Sequence, residues 1–143
     1  MEELSGVRPP REHQTIARNI LYNLIKELLN EGYEPFMEVQ FDDNDNSSQS
    51  PDLLVEDHNG NILLIIEITK RSGVKKDKTK VEKIMKKHPM VNEGFIYNYE
   101  DKIWHKYTRF KIKKNLKQAK YVNHNYYSDL FDIDLRKFTS IKI

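Results

Sequence analysis

The run Leu63-Leu64-Ile65-Ile66-Glu67-Ile68 constrains this chain more than any other stretch. Six residues without alternation cannot leave one strand face in water, so the sequence asks for a central strand covered on both sides. That demand implies layers: a sheet in the middle and helices above and below it. The glutamate inside the run is the anomaly. A carboxylate among leucines and isoleucines is costly to bury unless something pairs with it or binds to it.

What precedes the run sharpens the reading. Leu53-Leu54-Val55 forms a first arm and Ile62 to Ile68 a second, around Asp57-His58-Asn59-Gly60-Asn61. Asn-Gly between two apolar runs is a strong hairpin signal. The first arm is introduced by Ser50-Pro51-Asp52, and Lys70 follows the second. Adjacent strands lie about 4.8 Å apart, so carboxylates near paired strand ends can share a cation. Phosphodiester hydrolysis needs a cation that polarises phosphate and acidifies water. Mg²⁺ is content with one or two carboxylates plus water and phosphate. Asp52 and Glu67 are therefore the expected metal ligands, with the backbone carbonyl of Ile68 as a third, and a nearby lysine such as Lys70 would assist the attacking water.

Around this hairpin the remaining elements can be placed. Ile16, Ile20, Leu21, Leu24, Ile25, Leu28 and Leu29 recur at three- and four-residue steps, and Gly32 ends that helix. Phe36 to Phe41 reads as a strand, and Asp42 to Ser50 as a polar loop. A helix is expected from Lys76 to Lys87 with Val81, Ile84 and Met85 inward, stopped by His88-Pro89. Gly94 to Tyr99 and Ile103 to Tyr107 read as a strand pair across Glu100-Asp101-Lys102. Beyond Lys111 the pattern blurs, with Leu130 to Leu135 as a closing segment packed on the core. The alternating aromatics Tyr97, Tyr99, Trp104 and Tyr107 are expected mostly in the core. The fold class is α/β: a sandwich on a small mixed central sheet flanked by helices. At 143 residues one domain is expected, 11–143, after a flexible N-terminus over 1–10.

Composition removes several chemistries. There is no cysteine, which excludes disulfide scaffolds, zinc thiolates and thiol catalysis. The five histidines show no metal-ligand spacing, and no glycine-rich phosphate loop occurs. No apolar leader or membrane-length span is present, so the cytoplasm is the default location and no membrane partner is expected. Net charge is only +2, but it is polarised: acids dominate Glu31 to Asp57, lysines Lys70 to Lys87. Lys75, Lys76, Lys78 and Lys83 are the expected contacts to a nucleic-acid backbone.

Pro51-Asp52 followed by Glu67-Ile68-Thr69-Lys70 resembles the PD-(D/E)XK nuclease superfamily, whose fold is restriction-endonuclease-like. Its usual ending, Glu-X-Lys, would put lysine where Thr69 stands, and Lys70 is one position late. The segment order resembles most closely the Uma-type endonucleases of that superfamily: a helix with Glu12-His13 near its start, a strand with Glu38, then Pro51-Asp52, the Glu67 strand, the Asp77 to Lys80 helix and an aromatic strand pair. The resemblance implies a Mg²⁺- or Mn²⁺-dependent endonuclease acting on nucleic acid, with DNA as the expected substrate and a homodimer as an expected assembly. It implies further that Lys80, from the helix after the strand, replaces the missing lysine, that Glu38 joins the metal site, and that Glu12 is the counterpart of a helix glutamate. Two other functions fit the same fold: a nucleic-acid binder without catalysis, and a protein-interaction module.

Overall fold

The computed structural model describes residues 10–37, 50–113 and 116–139. The expected flexible N-terminus lies outside them but for Pro10, as does the polar loop before Ser50. Glu38 and Gln40 fall outside as well. A six-stranded sheet in the order β1-β2-β3-β4-β5-β6 forms the middle layer. Its strands are β1 (Glu34–Met37), β2 (Leu53–Glu56), β3 (Ile62–Thr69), β4 (Glu93–Asn98), β5 (Ile103–Lys113) and β6 (Leu116–Asn123). All neighbours are antiparallel except β3 and β4, which are joined by the crossover helix α2 (Val74–Lys87) and run parallel.

Each face of the sheet has its own core, set by strand alternation. Leu53, Val55, Leu64, Ile66, Phe95 and Trp104 pack with Ile16, Ile20, Leu24 and Leu28 of α1 (Arg11–Leu28). Leu54, Ile65 and Ile96 pack on Val81, Ile84 and Met85 of α2. The apolar run is thus a strand buried on both faces, with Leu64, Ile65 and Ile66 fully enclosed. Gly94 lets α2 approach: a Cβ there would stand 2.6 Å from Val81 Cγ1.

Three elements depart from the sequence expectation. The first strand begins at Glu34, two residues before Phe36, whereas the first helix starts at Arg11, just ahead of Glu12-His13, and ends in a 3-10 turn (Leu29–Glu31) before Gly32 at φ +91°. Helix α2 begins two residues before Lys76. The blurred region after Lys111 contains a full strand, β6, paired with β5. Apart from Leu130 at its start, which is exposed, the closing segment packs on the α1-side core through Phe131, Ile133 and Leu135, joined by Phe138 beyond it. It includes a small two-stranded sheet, β7 (Tyr127–Ser128) with β8 (Ile133–Asp134), and a 3-10 turn (Leu135–Phe138).

A buried polar anchor ties this segment down. Glu93 accepts hydrogen bonds from Ser128 Oγ (2.6 Å) and the N–H groups of Asp129 (2.8 Å) and Leu130 (3.2 Å). Lys106, almost fully enclosed, lies 3.5 Å from Glu93 and donates to Asp129 Oδ2 and the Tyr127 carbonyl. Among the described residues no helix is long and apolar enough to cross a membrane.

Candidate active site

The site forms where β3 and β4 end, the position at which a parallel strand pair leaves room for a ligand. The β2–β3 register pairs Leu53 with Ile66. One further step places Asp52 opposite Glu67. Glu67 shares its face with Ile65, so its carboxylate emerges on the side of the sheet covered by α2.

Glu67 is 1% exposed. Its Oε1 accepts from Lys80 Nζ at 3.2 Å, and that ammonium also donates to the Ser50 carbonyl at 2.8 Å. Oε2 lies equally near the ammonium, at 3.2 Å, yet has no hydrogen-bond partner among the described residues. Asp52 Oδ2 accepts the Ile68 N–H at 2.7 Å and meets His13 Nε2 at 3.2 Å. The His13 nitrogen donates when it carries the proton.

The electrostatics show a surplus of negative charge. Burial, then the Asp52 carboxylate, pushes the Glu67 carboxyl well above the usual carboxylate range, with Lys80 only partly opposing. Burial likewise raises Asp77 to about 6, Lys80 again opposing and Asp52 adding to the rise. Asp77 stands three residues before Lys80 and four before the buried Val81, hence on the inward side of α2. Lys80, with Lys76 and His13 acting on Asp77, only partly offsets the three carboxylates, and such an acidic cluster suits a hard cation.

The sequence candidates separate clearly. Asp52, Glu67 and Lys80 come together. Lys70 does not: it sits exposed one residue past β3 and makes no hydrogen bond or ion pair with either carboxylate. Thr69 occupies the strand position before it, so the ammonium arrives from α2 instead. Ile68 contributes its N–H, which holds Asp52. Glu12 acts electrostatically on Tyr97 and Tyr99 rather than on Glu67. Lys75, Lys76 and Lys83 are exposed on α2, while Lys78 lies 4.1 Å over the Tyr121 ring. Glu38 is outside the described residues.

Two residues beside Asp52 and Lys80 were not singled out from the sequence as holding the carboxylates or the metal, His13 and Asp77. A histidine in a first helical turn is usually exposed, and only the packing of α1 brings it to Asp52. Asp77 did carry a signal, its three-residue spacing from Lys80.

Among the described residues no set of three or more histidine or acidic side chains converges as metal ligands. The donor set nevertheless fits Mg²⁺, which accepts two carboxylates. Asp52 Oδ1 and the orphaned Glu67 Oε2 are the oxygens free of hydrogen bonds to described residues.

Comparison with known proteins bears on the fold. No family model matches the chain, and no curated protein does. Among solved structures it is similar to a protein of Anabaena variabilis assigned to DUF820 and described as a candidate nuclease, with a TM-score of 0.62. The match covers 93% of this chain and 83% of that one, at 14% identity. The fold is restriction-endonuclease-like. On this fold Asp52 and Glu67 stand at the exit of β3, and Lys80 comes from the helix that follows it.

Proposed function

We propose that this chain is a metal-dependent nuclease hydrolysing phosphodiester bonds, with DNA as the leading substrate. The observation that carries the reading is Glu67: a carboxylate 1% exposed, opposite Asp52, with one oxygen unpartnered and an ammonium 3.2 Å away. Burying such a group against a second carboxylate raises free energy in the unliganded protein. Sites that keep such a cost commonly use it in chemistry.

Asp52 and Glu67 would hold Mg²⁺ or Mn²⁺, which when bound acidifies water and polarises the phosphate. Lys80 orients that water and offsets charge growing on the phosphate oxygens. The Ser50 carbonyl and Glu67 keep its ammonium aimed. His13 and the Ile68 N–H hold Asp52 in one rotamer, which presents its other oxygen. The exposed lysines of α2 approach the backbone without reading sequence. Cutting both strands of a duplex takes two such sites, which a homodimer would supply.

A cleavage assay on single-stranded, duplex and branched DNA and on RNA, with Mg²⁺, Mn²⁺ or EDTA, tests the reading. Metal-dependent cutting that disappears in Asp52→Ala is the expected result. Intact substrates under every condition, from folded protein, would leave binding without catalysis as the function.

A further inference from the structure

Successive residues in the first turn of α1 serve two different places. His13 meets Asp52, whereas Glu12 lines a separate cleft of about 580 Å³. The cleft flanks the same strand ends: Tyr97 is paired with Ile68 in the β3–β4 ladder, and the Tyr99 N–H donates to the Thr69 carbonyl at 3.0 Å. Its other lining residues include Lys102, Trp104 and Arg136.

The lining is selective in its chemistry. Tyr97 and Trp104 pack with ring centroids 4.7 Å apart, and the Trp104 indole N–H is buried without a hydrogen-bond partner among the described residues. An orphaned donor in a cavity wall is a cost that the free fold retains. Glu12 supplies a carboxylate acceptor. Lys102 is exposed, and Arg136, gripped by Asp134 through Nε (3.1 Å) and Nη2 (2.8 Å), is largely exposed. A simple anion is a poor match, because Glu12 opposes it and Asp134 already balances Arg136. A purely apolar ligand would waste the donors and the acceptor. A nucleobase suits the mixture, being planar, apolar on its faces and hydrogen-bonding at its edges, and the volume falls in the usual range for small-ligand sites.

We propose that this cleft receives one unpaired nucleoside of the strand being cut, making single-stranded or branched nucleic acid the substrate class in preference to continuous duplex. The inference rests on the nuclease reading for its substrate but not for its test. Glu12 accepts from an amino or imino group of the base, the Tyr99 hydroxyl meets its other edge while that of Tyr97 is engaged with Thr139, and Lys102 and Arg136 meet the flanking phosphates. A paired base reaches such a cleft only by leaving its stack, at the cost of lost stacking and pairing.

Trp104 is the sole tryptophan of the chain, so its emission reports on the cleft directly. Titrations in EDTA would use oligo(dT), oligo(dC) and oligo(U), blunt duplexes containing the same strands, and tripolyphosphate. A saturable emission change with a single strand, at least about tenfold weaker with duplex and missing with tripolyphosphate, is expected. Lys102→Asn, which suits the positive φ of 57° there, and Tyr99→Phe should each weaken single-strand binding several-fold with the melting temperature unchanged. Silent emission, or an equal response to duplex or tripolyphosphate, would overturn the proposal, and that comparison needs only the wild-type chain. Cutting of duplex without a Trp104 response sinks the cleft alone. A Trp104 response to single strands without any cutting sinks the nuclease reading alone.

Discussion

In the proposed site Glu67 and Lys80 stand in for the Glu-X-Lys ending of the resembled motif, from two elements instead of one. Thr69 has no cation to offer, so the ammonium reaches the carboxylate from α2 at 3.2 Å. Glu67→Gln and Lys80→Met should each lower the cleavage rate by about 10²–10³, while Lys70→Ala stays close to wild type, as single-turnover rates would show. His13→Ala should weaken metal binding by about 10–100-fold by freeing Asp52, read by metal titration of activity. Asp77 yields a pH prediction. Its carboxyl is raised from 3.8 to about 6 by burial, so over that window the folded state binds more protons than the unfolded chain. Stability of the metal-free protein therefore falls as pH rises from about 4 to about 6. Asp77→Asn should remove its share of that slope, leaving the part due to Glu67, and stabilise the chain by about 1–2 kcal/mol at neutral pH, discounted for partial exposure. Urea titrations in EDTA across that range check the sign.

At the scale of elements, the distance between α2 and the sheet decides whether Lys80 reaches Glu67. Gly94 sets it, because a Cβ there would press on Val81 Cγ1 at 2.6 Å and Met85 Sδ at 3.1 Å. Gly94→Ala should cost about 1–3 kcal/mol through overpacking and lower the cleavage rate by lifting α2, as melting and kinetics measured on one preparation would show. The far end of that helix is held by Arg109, which donates to the carbonyls of Met85, His88 (2.9 Å) and Val91 (2.6 Å). Opposite, the Arg71 guanidinium grips Asp101 at 2.6 and 2.8 Å and ties the exit of β3 to the β4–β5 turn. The site thus sits between two tethers on a rigid crossover.

For the whole molecule, the proposed cation site would link binding to folding. A metal that binds only the folded state stabilises it by RT ln(1 + [L]/Kd), about 2.7 kcal/mol at a hundredfold excess over Kd. Mg²⁺ or Mn²⁺ should therefore raise the melting temperature of the wild type and leave Asp52→Ala unmoved, which calorimetry would show. The end of the sheet away from the site depends on the Glu93–Lys106 anchor. Lys106→Met leaves the Glu93 carboxylate buried with its backbone donors but no cation, at a cost of about 3–5 kcal/mol. Denaturant unfolding measures that loss.

The covered central strand, the hairpin around Asn59-Gly60, two helices and the mixed sheet were legible because local patterns encode them. Periodicity, turn chemistry and an uninterrupted apolar run depend on neighbours in sequence. Glu67 stood out for a related reason: a carboxylate inside an apolar run announces its own cost, whereas Asp52 was marked by its place after Pro51 at the start of the paired arm. Strand β6 was not legible, since Leu116 to Asn123 carries lysine, glutamine and asparagine in place of an apolar alternation and owes its state to pairing with β5. The burial of Lys106 was hidden for the same reason, as its partners lie 13, 21 and 23 residues away. The choice between Lys70 and Lys80, the arrival of His13 at Asp52 and the turning of Glu12 toward the tyrosines were decided by tertiary structure alone. A side chain's chemistry is carried by its own residue, but the partner it meets depends on how helices pack across a sheet, through contacts that no local pattern records.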